Sequence, residues 1–302
     1  MSAIRCLRTA VDALSRNPVL VLGGLCYALV VLPQRALQLA GVPLAPAALQ
    51  MLTFFLTPFV LAGVVGMARE ALDGETGLDS LVAAGKSEYV DLLLATMIEL
   101  AIKLAFGVVL AVLGILALVA GGGAGSVGGA ALVVLIGVVY LAVLFLVQFY
   151  PVVVVLDDAG PVDAVTGSVA FVRANLLGTL GFSVVTVLLG GLAALPITGV
   201  AAYRFATAGT GMGGDTPGPI GGGMSPGDVG AANGTGAGTP ALADAFASGA
   251  GGLGLSTPEV AALSLVSLVT TALFVAFRLT YATAFYRRNG RSIEERVLDD
   301  GP

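Results

Sequence analysis

Six long apolar stretches alternate with short polar segments along the chain. They cover about residues 18–40, 47–68, 92–120, 129–156, 175–200 and 258–286. A helix needs about 20 predominantly apolar residues to cross a hydrocarbon layer about 30 Å thick. The pattern therefore predicts an all-α, polytopic membrane protein with six transmembrane helices, forming a single domain over residues 1–302.

The polar segments before the odd-numbered spans predict interfacial amphipathic helices. In the N-terminal segment, apolar residues recur at helical spacing, at Ile4, Leu7, Val11 and Leu14. Segments 10–20, 81–93 and 164–177 each lead through small and apolar residues to one cation before the next span. We interpret these as three units, each an interfacial helix followed by a transmembrane hairpin. The alternative is that any cytoplasmic entry into a membrane has this composition.

The distribution of cations predicts the orientation. Of the 14 lysines and arginines, ten fall on one side of a six-span arrangement: Arg5, Arg8, Arg16, Arg69, Lys86, Arg173, Arg287, Arg288, Arg291 and Arg296. Arg35 and Arg204 are expected on the opposite side. By the positive-inside rule, both termini are expected in the cytoplasm, with the protein in the cell membrane. We expect the first span to be uncleaved; a secretory signal peptide is the alternative.

The connection between spans 5 and 6, at about residues 205–257, is rich in Gly, Ala, Thr and Pro. Such a composition buries too little apolar surface to offset the entropy lost on ordering, so we expect a disordered, Gly-rich extracytoplasmic loop. Asn233-Gly234-Thr235 forms a glycosylation sequon within it, which makes Asn233 a candidate acceptor. The alternative interpretation of this segment is a flexible spacer.

The composition argues against several kinds of site. The chain is 57% hydrophobic and 11% charged, with an acidic net charge of −5 and no histidine. Without histidine, a metalloprotease HExxH motif and a histidine-activated serine are both impossible. Cys6 and Cys26 alone support neither a zinc site nor a disulfide framework, and no basic stripe indicates nucleic acid. We therefore expect no catalytic residues, no metal site, no cofactor and no nucleic-acid partner.

Three ionisable residues within the spans form a candidate intramembrane polar site: Glu99, Lys103 and Arg278. Glu99 and Lys103 are spaced i,i+4 with the acid first, so they share a helix face. If the hydrocarbon begins near Leu92, Lys103 lies about 16 Å inside it, where an isolated charge is costly. If span 3 begins at Leu104 instead, the pair lies among the headgroups. Arg278 either joins a polar cavity or extends to the cytoplasmic face.

Other residues within the spans are predicted to have structural roles. Gln148, Tyr150 and Pro151 in span 4 are expected to form interhelical hydrogen bonds and a kink. Glycines within the spans are expected to allow close helix packing, at Gly23, Gly24, Gly63, Gly66, Gly190 and Gly191.

The most distinctive segment is FLVQFYPVVVVLDDAGPVDAVTGSVAFVRANLLGTLGF, residues 145–182. It resembles the membrane domain associated with some glycerophosphoryl diester phosphodiesterases, and a wider group of six-span proteins of unknown function. The haloarchaeal members of that group are also similar at NPVLVLGGL (17–25), LPQRALQLAG (32–41) and FRLTYATAFYRRNGRS (277–292). The resemblance implies the six-span fold and no known chemistry. The chain has no room for the soluble phosphodiesterase barrel, so that activity is not implied.

These observations favour a non-catalytic integral membrane protein that acts through lipids or partner proteins. Its expected partners are the lipid bilayer and either another membrane protein or a second copy of the chain. The alternative is a small-solute or ion transporter, or a permease subunit, that uses Glu99, Lys103 and Arg278 along a polar path.

Overall fold

The computed structural model describes residues 2–40, 45–119, 124–210 and 257–299. These residues form ten helices and no strand. The helices are α1 (Ser2–Arg16), α2 (Val19–Leu39), α3 (Ala45–Asp73), α4 (Leu78–Ser87), α5 (Tyr89–Val119), α6 (Ala124–Val147), α7 (Tyr150–Asp157), α8 (Pro161–Ala174), α9 (Leu176–Thr210) and α10 (Thr257–Asp299).

Six segments of these helices are long and apolar enough to cross a membrane: Val19–Leu39, Ala48–Asp73, Tyr89–Leu116, Ala131–Asp157, Leu176–Val200 and Thr257–Gly290. The fourth segment runs through both α6 and α7. The predicted six-span, all-α fold is therefore confirmed. The predicted loop at about 205–257 begins within α9, and residues 211–256, with Asn233, lie outside the described residues.

Three helices that are not part of a span, α1, α4 and α8, precede spans 1, 3 and 5, as predicted. We call these three helices the collar. The collar end of the bundle is the end at which they lie, and the hairpin end is the end at which α2 meets α3 and α5 meets α6. α1 packs against α10, α4 against α3, and α8 against α7. Each collar helix therefore covers a span rather than lying apart from the bundle.

The best-packed part of the core lies towards the collar end. Residues 60–68 of α3 are all buried, since α2, α4, α7 and α10 surround this helix. A second cluster is aromatic and joins α7, α8, α9 and α10 through Phe149, Phe171, Phe182, Tyr281 and Phe285. The rings of Phe149 and Phe171 meet edge to face, with centroids 5.1 Å apart.

Glycines bring the helices of this region close together. A Cβ added at Gly24 would lie 2.1 Å from the carbonyl oxygen of Ala272, and one at Gly63 would lie 2.6 Å from that of Leu81. Only glycine therefore fits where α2 meets α10 and where α3 meets α4. The close-packing prediction is confirmed at these positions. It is wrong at Gly191, where an added Cβ would meet no atom within 4 Å among the described residues.

The spans farther from the core expose apolar side chains. Exposed residues on α5, α6 and α9 include Leu104, Val108, Val134, Leu135, Leu188 and Leu192. Large exposed apolar surfaces are unfavourable in water and suit contact with lipid chains. This distribution of exposed side chains supports a multi-pass membrane protein.

Candidate functional site

Glu99 and Lys103 lie one turn apart on α5 and form an ion pair. The distance between Lys103 Nζ and Glu99 Oε1 is 2.9 Å, and the Glu99 and Lys103 side chains are 7% and 18% exposed. Removing charges from water is costly unless they are paired and hydrogen-bonded. The pairing therefore offsets part of the cost of burying these two groups.

The second carboxylate oxygen of Glu99 is bound by another helix. The Tyr150 hydroxyl of α7 donates a hydrogen bond to Glu99 Oε2, with 2.9 Å between the oxygens. The same hydroxyl lies 3.2 Å from Thr96 Oγ1, and Thr96 donates to the Leu92 carbonyl at 2.7 Å. The interhelical hydrogen bond predicted for Tyr150 is confirmed. It joins α5 to α7 through buried polar groups.

Arg278 of α10 is directed towards the same region. It interacts electrostatically with Tyr27 of α2 and with Glu99 and Tyr150. Side chains on a helix lean towards its N-terminus, which for α10 lies at the hairpin end. Arg278 therefore leans into the bundle rather than towards the collar end. The structure thus brings the three charged residues of the candidate site into one neighbourhood between α2, α5, α7 and α10.

A break in span 4 positions Tyr150. The helix is interrupted at Gln148 and Phe149, between α6 and α7, and Pro151 lies in the first turn of α7. The predicted kink is therefore confirmed. Gln148 also accepts a hydrogen bond from Ser183 of α9 at 3.2 Å, which joins a third helix to this position.

Ser168 of α8 satisfies the backbone groups that the break leaves unpaired. The Phe149 N–H donates to Ser168 Oγ at 3.1 Å, and the Ser168 hydroxyl donates to the Leu146 carbonyl at 2.9 Å. Unpaired backbone groups at membrane depth are costly, so a buried hydroxyl here stabilises the broken helix. This role could not be predicted from the sequence, because the bonded residues are 19 and 22 positions apart.

Side chains also bind the carbonyl groups at helix C-termini near the collar end. Asn17 donates to the Gly74 carbonyl at 3.0 Å, and Arg69 donates to that of Val155 at 3.2 Å. Arg287 forms an ion pair with Asp73 at 2.8 Å. Donors and cations are favourable at helix C-termini, where backbone carbonyls lack partners within the helix. These contacts fix the ends of α3 and α7.

Cys6 faces the interior from α1. Its side chain is buried, and burial raises the pKa of the thiol above its ordinary value, while Arg288 nearby acts in the opposite direction. A thiol with a raised pKa is mostly protonated at neutral pH and is a poor nucleophile. Cys6 therefore acts as a small packing residue between α1 and the aromatic cluster.

Comparison with known proteins identifies a family but no activity. The chain belongs to the DUF7847 family, a domain of unknown function whose family model matches residues 1–289. The match covers the whole collar, the first five spans and the sixth span up to residue 289. No curated protein and no solved structure matches the chain. Any functional assignment therefore depends on the geometry described above.

Proposed function

We propose that the protein is a non-catalytic integral membrane protein that acts through lipids or partner proteins. The observation that carries this proposal is that protein groups bind both carboxylate oxygens of Glu99. Oε1 is paired with Lys103, and Oε2 accepts a hydrogen bond from Tyr150. A solute path needs charged groups that can exchange partners during transport. Here the acid is held by groups of the protein itself, which favours a structural link between α5 and α7.

The collar supplies the surface for contact with lipids. On α1, Ile4 and Val11 are 65% and 50% exposed, on a helix that also exposes Arg5, Arg8 and Arg16. Apolar side chains beside cations are typical of helices that lie at a membrane interface and contact anionic headgroups. Lys86 and Arg173 add exposed cations on α4 and α8. The collar end then faces the cytoplasm of the cell, as the positive-inside rule requires.

The resemblance to haloarchaeal proteins and to the membrane domain associated with glycerophosphoryl diester phosphodiesterases agrees with this role. Such a domain would supply a membrane surface while the chemistry resides in another domain or another protein. Association with a partner protein or with a second copy would use the exposed apolar faces of α5, α6 and α9.

A transporter or permease subunit is the second candidate. It is favoured by the convergence of Glu99, Lys103 and Arg278 from two helices, and by the remaining exposure of the Lys103 side chain. Ionisable residues at membrane depth often mark ion or solute pathways. The two candidates differ in one physical property, which is the access of water to Lys103.

Thiol labelling from each side of the membrane measures that access. The background variant carries Cys6→Ala and Cys26→Ala, and the test variant adds Lys103→Cys together with Glu99→Gln, so that no unpaired charge remains. Leu104→Cys is the matched control, since Leu104 is adjacent on α5 and 57% exposed on the apolar face. Tyr89→Cys, at the start of α5, reports labelling where the third span begins.

We expect a membrane-impermeant maleimide to label Tyr89→Cys but neither Lys103→Cys nor Leu104→Cys. Labelling of Lys103→Cys without labelling of Leu104→Cys would show an aqueous path and move the transporter candidate ahead. Labelling of all three from one side would place the ion pair at the headgroup level. That result would remove Glu99 and Lys103 as an intramembrane site.

A further inference from the structure

The Arg35 side chain contacts a neighbouring span and does not extend outward from the hairpin end of the bundle. It lies on α2, and its Nη1 donates to Ser267 Oγ at 3.4 Å and to Thr271 Oγ1 at 3.3 Å, both on α10. Ser267 and Thr271 lie about 15 Å and 21 Å along α10 from its start at Thr257, at about 1.5 Å per residue. The guanidinium group therefore lies against the side of α10, and the Arg35 backbone is about one turn from the end of α2 at Leu39.

The direction of the helix explains this position. Side chains on a helix lean towards its N-terminus, and α2 begins at the collar end. Arg35 consequently leans from its backbone towards the middle of the bundle. The neighbouring Gln34 faces α3 instead and hydrogen-bonds Gln50. Arg35 therefore carries a positive charge into the groove between α2 and α10 near the hairpin end.

The charge of Arg35 has no protein counter-ion among the residues that the structure describes. The groups bound by Arg35 are neutral hydroxyls, whereas Lys103 and Arg287 each pair with a carboxylate. A guanidinium group carries five N–H donors. A cation in a transmembrane segment is costly unless an anion or water compensates it.

Ser264 adds an unused polar group to the same groove. Its Oγ is buried and has no hydrogen-bond partner among the described residues. Ser264, Ser267 and Thr271 are spaced i, i+3 and i+7, so they lie on one face of α10. A buried hydroxyl without a partner is unfavourable unless a ligand or water completes it.

We propose that Arg35, Ser264, Ser267 and Thr271 form a binding site for a phosphate-type oxyanion. The planar guanidinium fork matches two oxygens of a phosphate, and the hydroxyls supply further donors. The anion neutralises the charge of Arg35 and accepts a hydrogen bond from the Ser264 hydroxyl. Its source is either the phosphodiester group of an anionic phospholipid or free inorganic phosphate. The site lies near the opposite end of the bundle from the collar, so it does not rest on the lipid contacts proposed above for the collar.

Thermal unfolding of the delipidated full chain in a nonionic detergent tests the site. Helix content is followed by circular dichroism while one of two probes is added. Sodium phosphate is compared with sodium chloride at equal ionic strength, and dioleoylphosphatidylglycerol is compared with dioleoylphosphatidylcholine. Because a ligand that binds only the folded state raises the melting temperature, an apparent affinity follows from the dependence on probe concentration.

We expect stabilisation by phosphatidylglycerol, by phosphate or by both, beyond that given by the matched neutral lipid or chloride. Arg35→Gln should weaken the apparent affinity at least about tenfold, since it removes a charge-assisted interaction. Arg35→Lys should retain part of it, and Ser264→Ala should weaken it about two- to fivefold.

The outcomes separate the two sources of the anion. Stabilisation by phosphatidylglycerol alone identifies a lipid headgroup, and stabilisation by phosphate identifies a free oxyanion. The absence of stabilisation by either probe, or an equal effect in Arg35→Gln, would overturn the proposal. If Arg35→Gln does not fold, the double variant Ser264→Ala/Ser267→Ala replaces it, because it removes donors without changing charge.

Discussion

Helices α3 and α5 have similar length and apolar character but very different surroundings. α3 has 29 residues and α5 has 31. Residues 60–68 of α3 are all buried, whereas α5 exposes apolar residues on both sides of Glu99, from Val90 to Leu116. One helix is therefore surrounded by protein along much of its length, and the other is mostly available to lipid.

The difference shows that hydropathy alone does not determine which spans are buried. Leucine and valine are equally suited to lipid and to a protein core, so the two helices have similar hydropathy along their sequences. What distinguishes α3 is the collar helix α4, which packs against it at Gly63 and Gly66. α5 buries fewer residues, among them Leu92 and Ala95, and it adds polar contacts around Glu99.

Loss of the Glu99 side chain should have the largest effect, because it releases α5 from α7. Glu99→Ala leaves Lys103 without its ion-pair partner and the Tyr150 hydroxyl without its acceptor. We expect the free energy of unfolding to fall by about 3–5 kcal/mol. Unfolding by sodium dodecyl sulfate from nonionic micelles, followed by circular dichroism, measures the change. Leu104→Ala on the lipid-facing side is the control, and a loss below about 1 kcal/mol for Glu99→Ala would contradict the link.

The same substitution at glycines of the two helices tests their surroundings directly. Gly63→Ala on α3 places a Cβ against the Leu81 carbonyl, and overpacking of this kind costs about 1–3 kcal/mol. Gly107→Ala on α5 meets no atom within 4 Å among the described residues, so it should be neutral or stabilise by up to about 1 kcal/mol. The melting temperature should fall for Gly63→Ala and should stay unchanged or rise for Gly107→Ala. Equal shifts would mean that the two helices are packed alike.

Tyr89→Phe should have a smaller effect on the contact between the two helices. The Tyr89 hydroxyl at the start of α5 donates to the Phe55 carbonyl of α3 at 3.2 Å. Its loss should cost about 0.5–1.5 kcal/mol, since the ring and its edge-on contact with Phe59 remain. Thr96→Val alters the buried network around Glu99. Comparison of the free energies of unfolding of Tyr89→Phe and Thr96→Val shows which contact contributes more. A greater loss for Tyr89→Phe would contradict the importance given to the buried network.

Asp73→Asn at the end of α3 should have the smallest effect. Its ion pair with Arg287 is largely exposed, with the Asp73 side chain 62% exposed. Exposed pairs contribute about 0–1 kcal/mol, and salt screens them. The difference between Asp73→Asn and the parent protein should therefore shrink as sodium chloride is raised. A loss of stability comparable to that of Glu99→Ala would show that the exposed Asp73–Arg287 pair contributes as much as the buried Glu99–Lys103 pair.

The spans could be predicted from sequence because hydropathy and length act locally. The predicted start of span 5 at 175 and the observed Leu176 differ by one residue. Span 2 continues to Asp73 rather than ending near 68, because Arg69 and Glu70 continue the helix while Ala71 remains buried. Charge at a helix end therefore did not stop the helix, since α1 and α10 pack beside it.

The candidate polar site could be predicted in part. The i,i+4 spacing of Glu99 and Lys103 indicated their contact, and the polar character of Tyr150 indicated a hydrogen bond. Ser168 and Arg35 could not be identified in this way. Ser168 meets the break in span 4 through the packing of α8 on α7, and Arg35 was counted only as a charge near the hairpin end. Both roles depend on contacts between distant parts of the chain, which periodicity does not encode.

The most direct test of the Glu99–Lys103 pair as a closed structural link is a double-mutant cycle. Glu99→Gln and Lys103→Met are measured singly and together by the same detergent unfolding. We expect a coupling energy of at least about 1.5 kcal/mol. The double variant should therefore lose less stability than the two single variants lose in sum. A coupling energy near zero would show that the two charges do not depend on each other. The pair would then be screened by water, which contradicts the closed, largely buried position of Glu99 between α5 and α7.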